Sequence, residues 1–255
     1  MKIDWLLIGI TISFLLVPVL ANAQAISTDR PDQANTPELV PKGSLQLESG
    51  FIAEKNEEGL QDYINYSYNN TLLRFGVNEN FEARFATGYL GVKTIPDHFV
   101  EQKGFGPIAL GAKIRLADQK GQWPEASLVT HVTLKTGAAE FRPAYTSTDV
   151  TLAVARSFGS KLTMTFNGGI KLNEQYAEAI SLYSLSAGYD VTAQLALFVE
   201  AYGSLPEAHR ASHLIDAGII YKVTPRIQFD ASGGIGIKNS STIFISTGVS
   251  TRLFK

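Results

Sequence analysis

The sequence contains no cysteine. That excludes disulfides, cysteine-ligated metal and the acylated cysteine of a bacterial lipoprotein anchor. Charge is also scarce: Asp, Glu, Lys and Arg make up 18% of the 255 residues, with a net charge of -2. A nucleic-acid binder would carry a basic excess, so nucleic acid is not an expected partner. Beyond the N-terminus no apolar run reaches the ~20 residues that a spanning helix needs. There is no phosphate loop, nucleophile elbow or metal motif, so neither a cofactor nor a catalytic residue is expected.

The chain opens "MKIDWLLIGITISFLLVPVLANAQA". Lys2 supplies a weak positive start, Trp5 to Leu20 is apolar, and Ala21-Asn22-Ala23 is an A-x-A cleavage site. Residues 1–23 read as a signal peptide, with Gln24 first in the exported chain. A polar leader follows over residues 24–43. Pro31, Pro37 and Pro41 exclude a long helix or a central strand there. Two readings of it stand. It could fold inward as a plug or bind a periplasmic partner through Asp29, Arg30 and Asp32. The preferred reading is a clamp on the lower rim of the domain that follows.

From residue 44 to 255 apolar residues recur with period two, the signature of strands. Leu73, Phe75 and Val77 oppose Arg74 and Gly76. After Asn78-Glu79-Asn80, Phe81, Ala83 and Phe85 oppose Glu82 and Arg84. The pattern predicts about twelve strands, each near the ~9–11 residues that a tilted strand needs to cross a bilayer. Alternate links are mostly tight, such as Gly159-Ser160 and Asp190 to Ala193, although Ala117 to Pro124 is longer. The intervening links are longer and polar, as in "EKNEEGLQD" and "KTGAAEFRPAYTS". Short turns at one end and long loops at the other mark an outer-membrane barrel. The predicted fold is all-β: a transmembrane up-and-down antiparallel barrel.

In such a barrel the apolar face meets lipid and the polar face lines the lumen. Phe81, Phe158, Tyr189, Tyr221 and Phe254 sit near the short turns; Phe51, Tyr66, Tyr89 and Tyr183 sit near the long loops. Two aromatic belts are what amphipathic rings form at two interfaces. The alternating end "STGVSTRLFK", with Phe254 next to last, approximates the strand that the barrel-assembly machinery reads. The expected setting is the outer membrane of a Gram-negative bacterium, in contact with its lipid and lipopolysaccharide.

Lumen parity carries charges of both signs. Arg74, Glu82, Arg84, Lys113, Arg115, Glu200, Asp216 and Asp230 are candidates for a constriction that selects solutes by field and hydrogen bonding. Glu48, Lys135, Lys171, Lys222 and Arg252 share their parity. The competing reading is an ion-pair network that closes the lumen. About eight strands are filled by side chains and about sixteen leave a channel, so twelve leaves both open. His209 and His213 are four apart, but no helix is expected there to bring them together on a metal.

Thr28-Asp29-Arg30-Pro31-Asp32-Gln33 and Val40-Pro41-Lys42-Gly43, followed by "LLRFGVNENFEARF" and "GFGPIALGAKIRL", resemble the meta-pathway phenol-degradation family. The resemblance spans most of the exported chain. It implies an outer-membrane, transporter-like barrel that passes small solutes, aromatic compounds among them, and it brings no catalytic residue. An alternative is a closed barrel that acts through its extracellular loops.

Overall fold

The computed structural model describes residues 25–58, 61–95, 101–172, 178–207 and 209–254. Residues 1–23, read above as a signal peptide, lie outside the described residues. The fold is one antiparallel sheet closed on itself. Its strands are β1 (Leu45–Glu58), β2 (Gln61–Asn78), β3 (Phe81–Ile95), β4 (Glu101–Phe105), β5 (Ala109–Ala117), β6 (Glu125–Thr133) and β7 (Ser147–Phe158). β8 (Leu162–Leu172), β9 (Ala179–Asp190), β10 (Leu195–Pro206), β11 (Ser212–Thr224), β12 (Ile227–Lys238) and β13 (Ile243–Phe254) complete it.

Each strand pairs with its sequence neighbour, and β1 pairs with β13 to close the ring. β4 and β5 both pair with β3, β4 along its loop end and β5 along its turn end. They are two halves of one wall strand, broken at Gly106-Pro107-Ile108, where proline offers no N–H to the ladder. The wall therefore has twelve staves, and it is a transmembrane up-and-down barrel. Closure pairs each full-length stave on both sides, which is what lets strands sit in lipid; only the short β4 at the loop end pairs with β3 alone.

Side-chain direction follows the sequence period. Leu152, Phe166, Leu197, Ile219 and Phe229 are exposed on the outside, while Gln46, Glu48, Arg74, Glu82 and Lys113 are buried inside. Rings collect on the outer face at the loop end. Phe51, Tyr66, Tyr68, Tyr89 and Phe105 form a chain with neighbouring centroids 5.4–6.3 Å apart. Phe158, Tyr189, Tyr221 and Phe254 are about half exposed near the turn end.

Two expectations need correction. The "EKNEEGLQD" segment is mostly strand: β1 runs to Glu58 and β2 restarts at Gln61. Above the apolar band both faces are polar, so the ladder continues without the alternation that announces it. Lys135, placed in the lumen by parity, instead lies in the connection after β6 ends at Thr133.

The lipid-facing assignment has a direct test. Leu152→Arg, in the middle of β7, is expected to lower barrel stability by about 2–4 kcal/mol in urea unfolding from vesicles. Glu79→Arg, in the exposed β2–β3 turn, is expected to change it by less than about 0.5 kcal/mol.

Candidate functional site: a leader threaded through the lumen

The leader does not rest on the rim. It runs inside the barrel, which overturns the preferred reading above. It starts at the turn end, where the Ile26 N–H donates to the Pro225 carbonyl (2.8 Å). It returns to that end at Gly43, whose N–H donates to the Gly76 carbonyl (2.7 Å). Between these points it circles the wall. Arg30 meets β12 and β13, Asp32 meets β9, Gln33 meets β10 and Asn35 meets β8. Pro37 meets β6, Glu38 meets β2 and β5, and Val40 meets β3. Irregular backbone inside a barrel must hydrogen-bond to side chains, because no ladder is free to accept it. The lumen's polar parity supplies those partners.

The tightest part is an ionic knot around Asp29. Its carboxylate contacts Arg84 Nη2 (2.8 Å), Lys113 Nζ (3.0 Å) and Arg74 Nη1 (3.6 Å). Arg74 also clasps Glu82 with two nitrogens (2.8 and 3.0 Å) and reaches Glu48 (2.9 Å). Arg84 Nη1 meets Glu82 at 3.2 Å. Three carboxylates thus face three cations, and the charges balance. Several of the remaining donors and acceptors bind leader backbone. The Asp29 N–H donates to Glu48 (3.0 Å), the Val40 N–H donates to Glu82 (2.8 Å), and Lys113 donates to the Thr36 carbonyl (2.7 Å). Burial alone would raise the Asp29 carboxyl, but Arg74, Lys113 and Arg84 outweigh it and hold it well below the usual carboxylate range.

Arg30 is seated differently. It donates to Asp230 and to Ser246, both at 3.0 Å. Its guanidinium lies across Gly50 and Gly248, which are directly paired between β1 and β13. A Cβ at either glycine would collide with it, so the two glycines form the slot that admits the arginine.

Neutral residues complete the grip, and parity alone did not single them out. Gln46 donates to the Ser27 carbonyl (2.7 Å), Gln228 to the Thr28 hydroxyl (2.8 Å) and Asn167 to the Asn35 carbonyl (3.0 Å). The available signal was an amide two residues before an acid, both inward: Gln46 with Glu48, and Gln228 with Asp230. Four of the nine buried hydrophobic side chains among the described residues also belong to the leader: Ile26, Ala34, Leu39 and Val40.

Of the eight constriction candidates, Arg74, Glu82, Arg84 and Lys113 meet in the knot. Asp230 holds Arg30, and Glu200 accepts from the Gln33 N–H (2.7 Å). Asp216 is buried, with neither carboxylate oxygen hydrogen-bonded among the described residues. Arg115 stands apart in a partly exposed pair with Asp118 (2.6 Å). His213 and His209 do not converge: His213 bonds the Tyr183 hydroxyl (2.7 Å) and His209 lies 3.8 Å from Glu178. Among the described residues no cluster could hold a metal.

On the loop side of the leader lies a cavity of about 650 Å³. Asp29 to Gln33 and Asn35 line one side of it. Its walls mix polar groups, including Arg84, His131 and Asp149, with Ile52, Leu72, Leu214 and Phe244. His131 bridges two of the charges, with Nδ1 on Asp149 (3.1 Å) and Nε2 accepting from Arg84 Nε (3.0 Å).

Fold and interior together define a membrane barrel occupied by its own N-terminal segment. The chain belongs to the family described as "Putative MetA-pathway of phenol degradation", which matches residues 28–253. No curated protein matches it in sequence. Among solved structures it is similar to the COG4313 outer membrane channel from Pseudomonas putida F1. That match has a TM-score of 0.71 and 12% identity, over 88% of this chain and 100% of the other. It is also similar to a KdgM porin in complex with disordered oligogalacturonate, with a TM-score of 0.54 and 8% identity, over 81% and 99%. A third is the translocator domain of the autotransporter NalP from Neisseria meningitidis, with a TM-score of 0.51 and 13% identity, over 82% and 88%. At these identities the likeness establishes the fold, which is that of outer-membrane barrels.

Removing one partner from a buried ion pair strands the other charge. Glu82→Ala is therefore expected to cost about 3–5 kcal/mol in urea unfolding from vesicles. Arg115→Ala, which breaks a pair open to water, is expected to cost less than about 1 kcal/mol in the same measurement.

Proposed function

We propose that this protein is an outer-membrane channel for small solutes, aromatic compounds among them, and that the luminal leader is its gate. The observation that carries this reading is the cavity of about 650 Å³ floored by leader residues. A structural barrel has no need of a chamber, whereas a gated path needs one beside its gate. Ile52, Leu72, Leu214 and Phe244 give an otherwise polar chamber an apolar part, which suits a ring-sized apolar solute carrying a polar group. The family's description and the channel and porin names of two similar structures support transport rather than catalysis.

On this reading residues 1–23 are cleaved on export and 24–43 form the gate. Residues 44–255 form the barrel, placed in the outer membrane of a Gram-negative cell. Lipopolysaccharide surrounds its loop end, and the assembly machinery reads its last strand. Arg84, Glu200, Asp216 and Asp230 shape the solute path once the leader moves, with Arg74, Glu82 and Lys113 beneath it. A closed barrel remains the second reading, favoured by the balance of the Asp29 knot.

Single-channel recording in planar bilayers separates the two. The refolded protein is expected to show brief, small openings. Asp29→Ala combined with Arg30→Ala, which unhooks the leader at both sides, is expected to open longer and wider. Silence in both proteins, with heat-modifiable mobility showing that each barrel has folded, would establish the closed reading.

A further inference from the structure

The two sides of the leader are held by opposite chemistry. Around Asp29 every carboxylate has a cation. Around Asp32 the pattern fails. Its carboxylate accepts from the Ser186 hydroxyl (3.1 Å), and the next N–H, that of Gln33, donates to Glu200. Ser186, Glu200 and Asp216 stand in one cross-strand row over β9, β10 and β11. Glu200 Oε1 and both Asp216 oxygens are buried without a hydrogen bond among the described residues.

Among the described residues, Tyr202 of β10 and Glu54 of β1 act on this row beside Glu200 and Asp216. Asp29 of the leader acts on Asp32. Arg30, between them in the leader, is engaged by Asp230 of β12 at 3.0 Å. Three carboxyls packed together without a counter-charge cannot all ionise in place. They can share protons, or they can move apart. Only Asp32 is free to move, because it rides on the leader.

We propose that Asp32, Glu200 and Asp216 form a proton-operated latch that holds the Asp32–Asn35 stretch against the wall at low pH and releases it as pH rises. The Asp29 knot keeps its hold meanwhile, so the leader swings rather than leaves. Burial, together with the charge of Glu200, pushes the Asp32 carboxyl well above its ordinary value. A raised carboxyl favours the docked state while it is protonated, and that contribution is lost as pH rises through the raised value. Asp29 is shifted the other way. Its contribution is lost only as pH falls through its depressed value, below the working range.

The latch rests on the channel reading only in calling the released state open, so the test reads position and current separately. The chain has no cysteine, so one can be placed at Asn35 and another, as reference, at the exposed β2–β3 turn residue Glu79. The readout is the rate of modification by a water-soluble maleimide at Asn35→Cys divided by that at Glu79→Cys. The ratio removes the pH dependence that the two thiols share, and the same ratio in the carboxyl variants gives the baseline for any difference between the two sites. Between about pH 5 and about pH 9 it is expected to rise by about tenfold or more. In Glu200→Gln/Asp216→Asn, and independently in Asp32→Asn, which leaves the wall untouched, the ratio should stay at its low-pH level throughout. A flat ratio in the parent protein would overturn the latch, as would a rise that survives in either variant. A rising ratio with silent bilayers would uphold the latch and end the channel reading. A flat ratio with pH-independent conductance would do the reverse.

Discussion

A charge removed from water needs an opposite charge beside it, and in this barrel that requirement organises the interior. Arg74, Arg84 and Lys113 project inward from β2, β3 and β5, and Arg74 is directly opposite Arg84 in the ladder. Two facing arginines would repel. Glu48 and Glu82 neutralise part of this charge, and Asp29 supplies the rest from outside the sheet. This side of the wall is balanced in charge only with the leader in place. Such a pairing adds little net stability over apolar packing, but it penalises every arrangement that leaves a charge alone. It fixes where the leader goes more than how tightly the barrel holds.

The rest of the interior follows from that anchor. With Asp29 fixed, Arg30 falls on the Gly50–Gly248 slot, Asp32 and Gln33 reach β9 and β10, and the chain returns past Asn167 and Ser127 to the start of β1. Twelve strands enclose a space too wide for wall side chains alone to fill and narrower than an open porin. The leader occupies that difference on the turn side, and the chamber of about 650 Å³ remains on the loop side.

The strands were legible because lipid and lumen impose a strict period of two. Arg74, Glu82 and Arg84 could be placed inward from parity alone. The tops of β1 and β2 were not legible, because above the lipid both faces are wet and the alternation that marks a strand disappears. The leader's path was hidden for another reason. Its prolines break any period, and its partners lie far along the chain, 200 residues away for Arg30 and Asp230. Composition showed that Asp29, Arg30 and Asp32 were there. Only the closed barrel shows that Asp29 and Arg30 meet their opposite charges while Asp32 meets its own kind.

The claim that the Asp29 knot seats the leader is tested most directly by a double-mutant cycle. Unfolding free energies of the parent, Asp29→Ala, Arg84→Ala and the double variant would be measured in the same vesicles. A coupling of at least about 1.5 kcal/mol is expected, with the double variant losing far less than the two single losses combined. Additivity within about 0.5 kcal/mol would mean that the two side chains do not depend on one another. The leader would then owe its place to something other than charge.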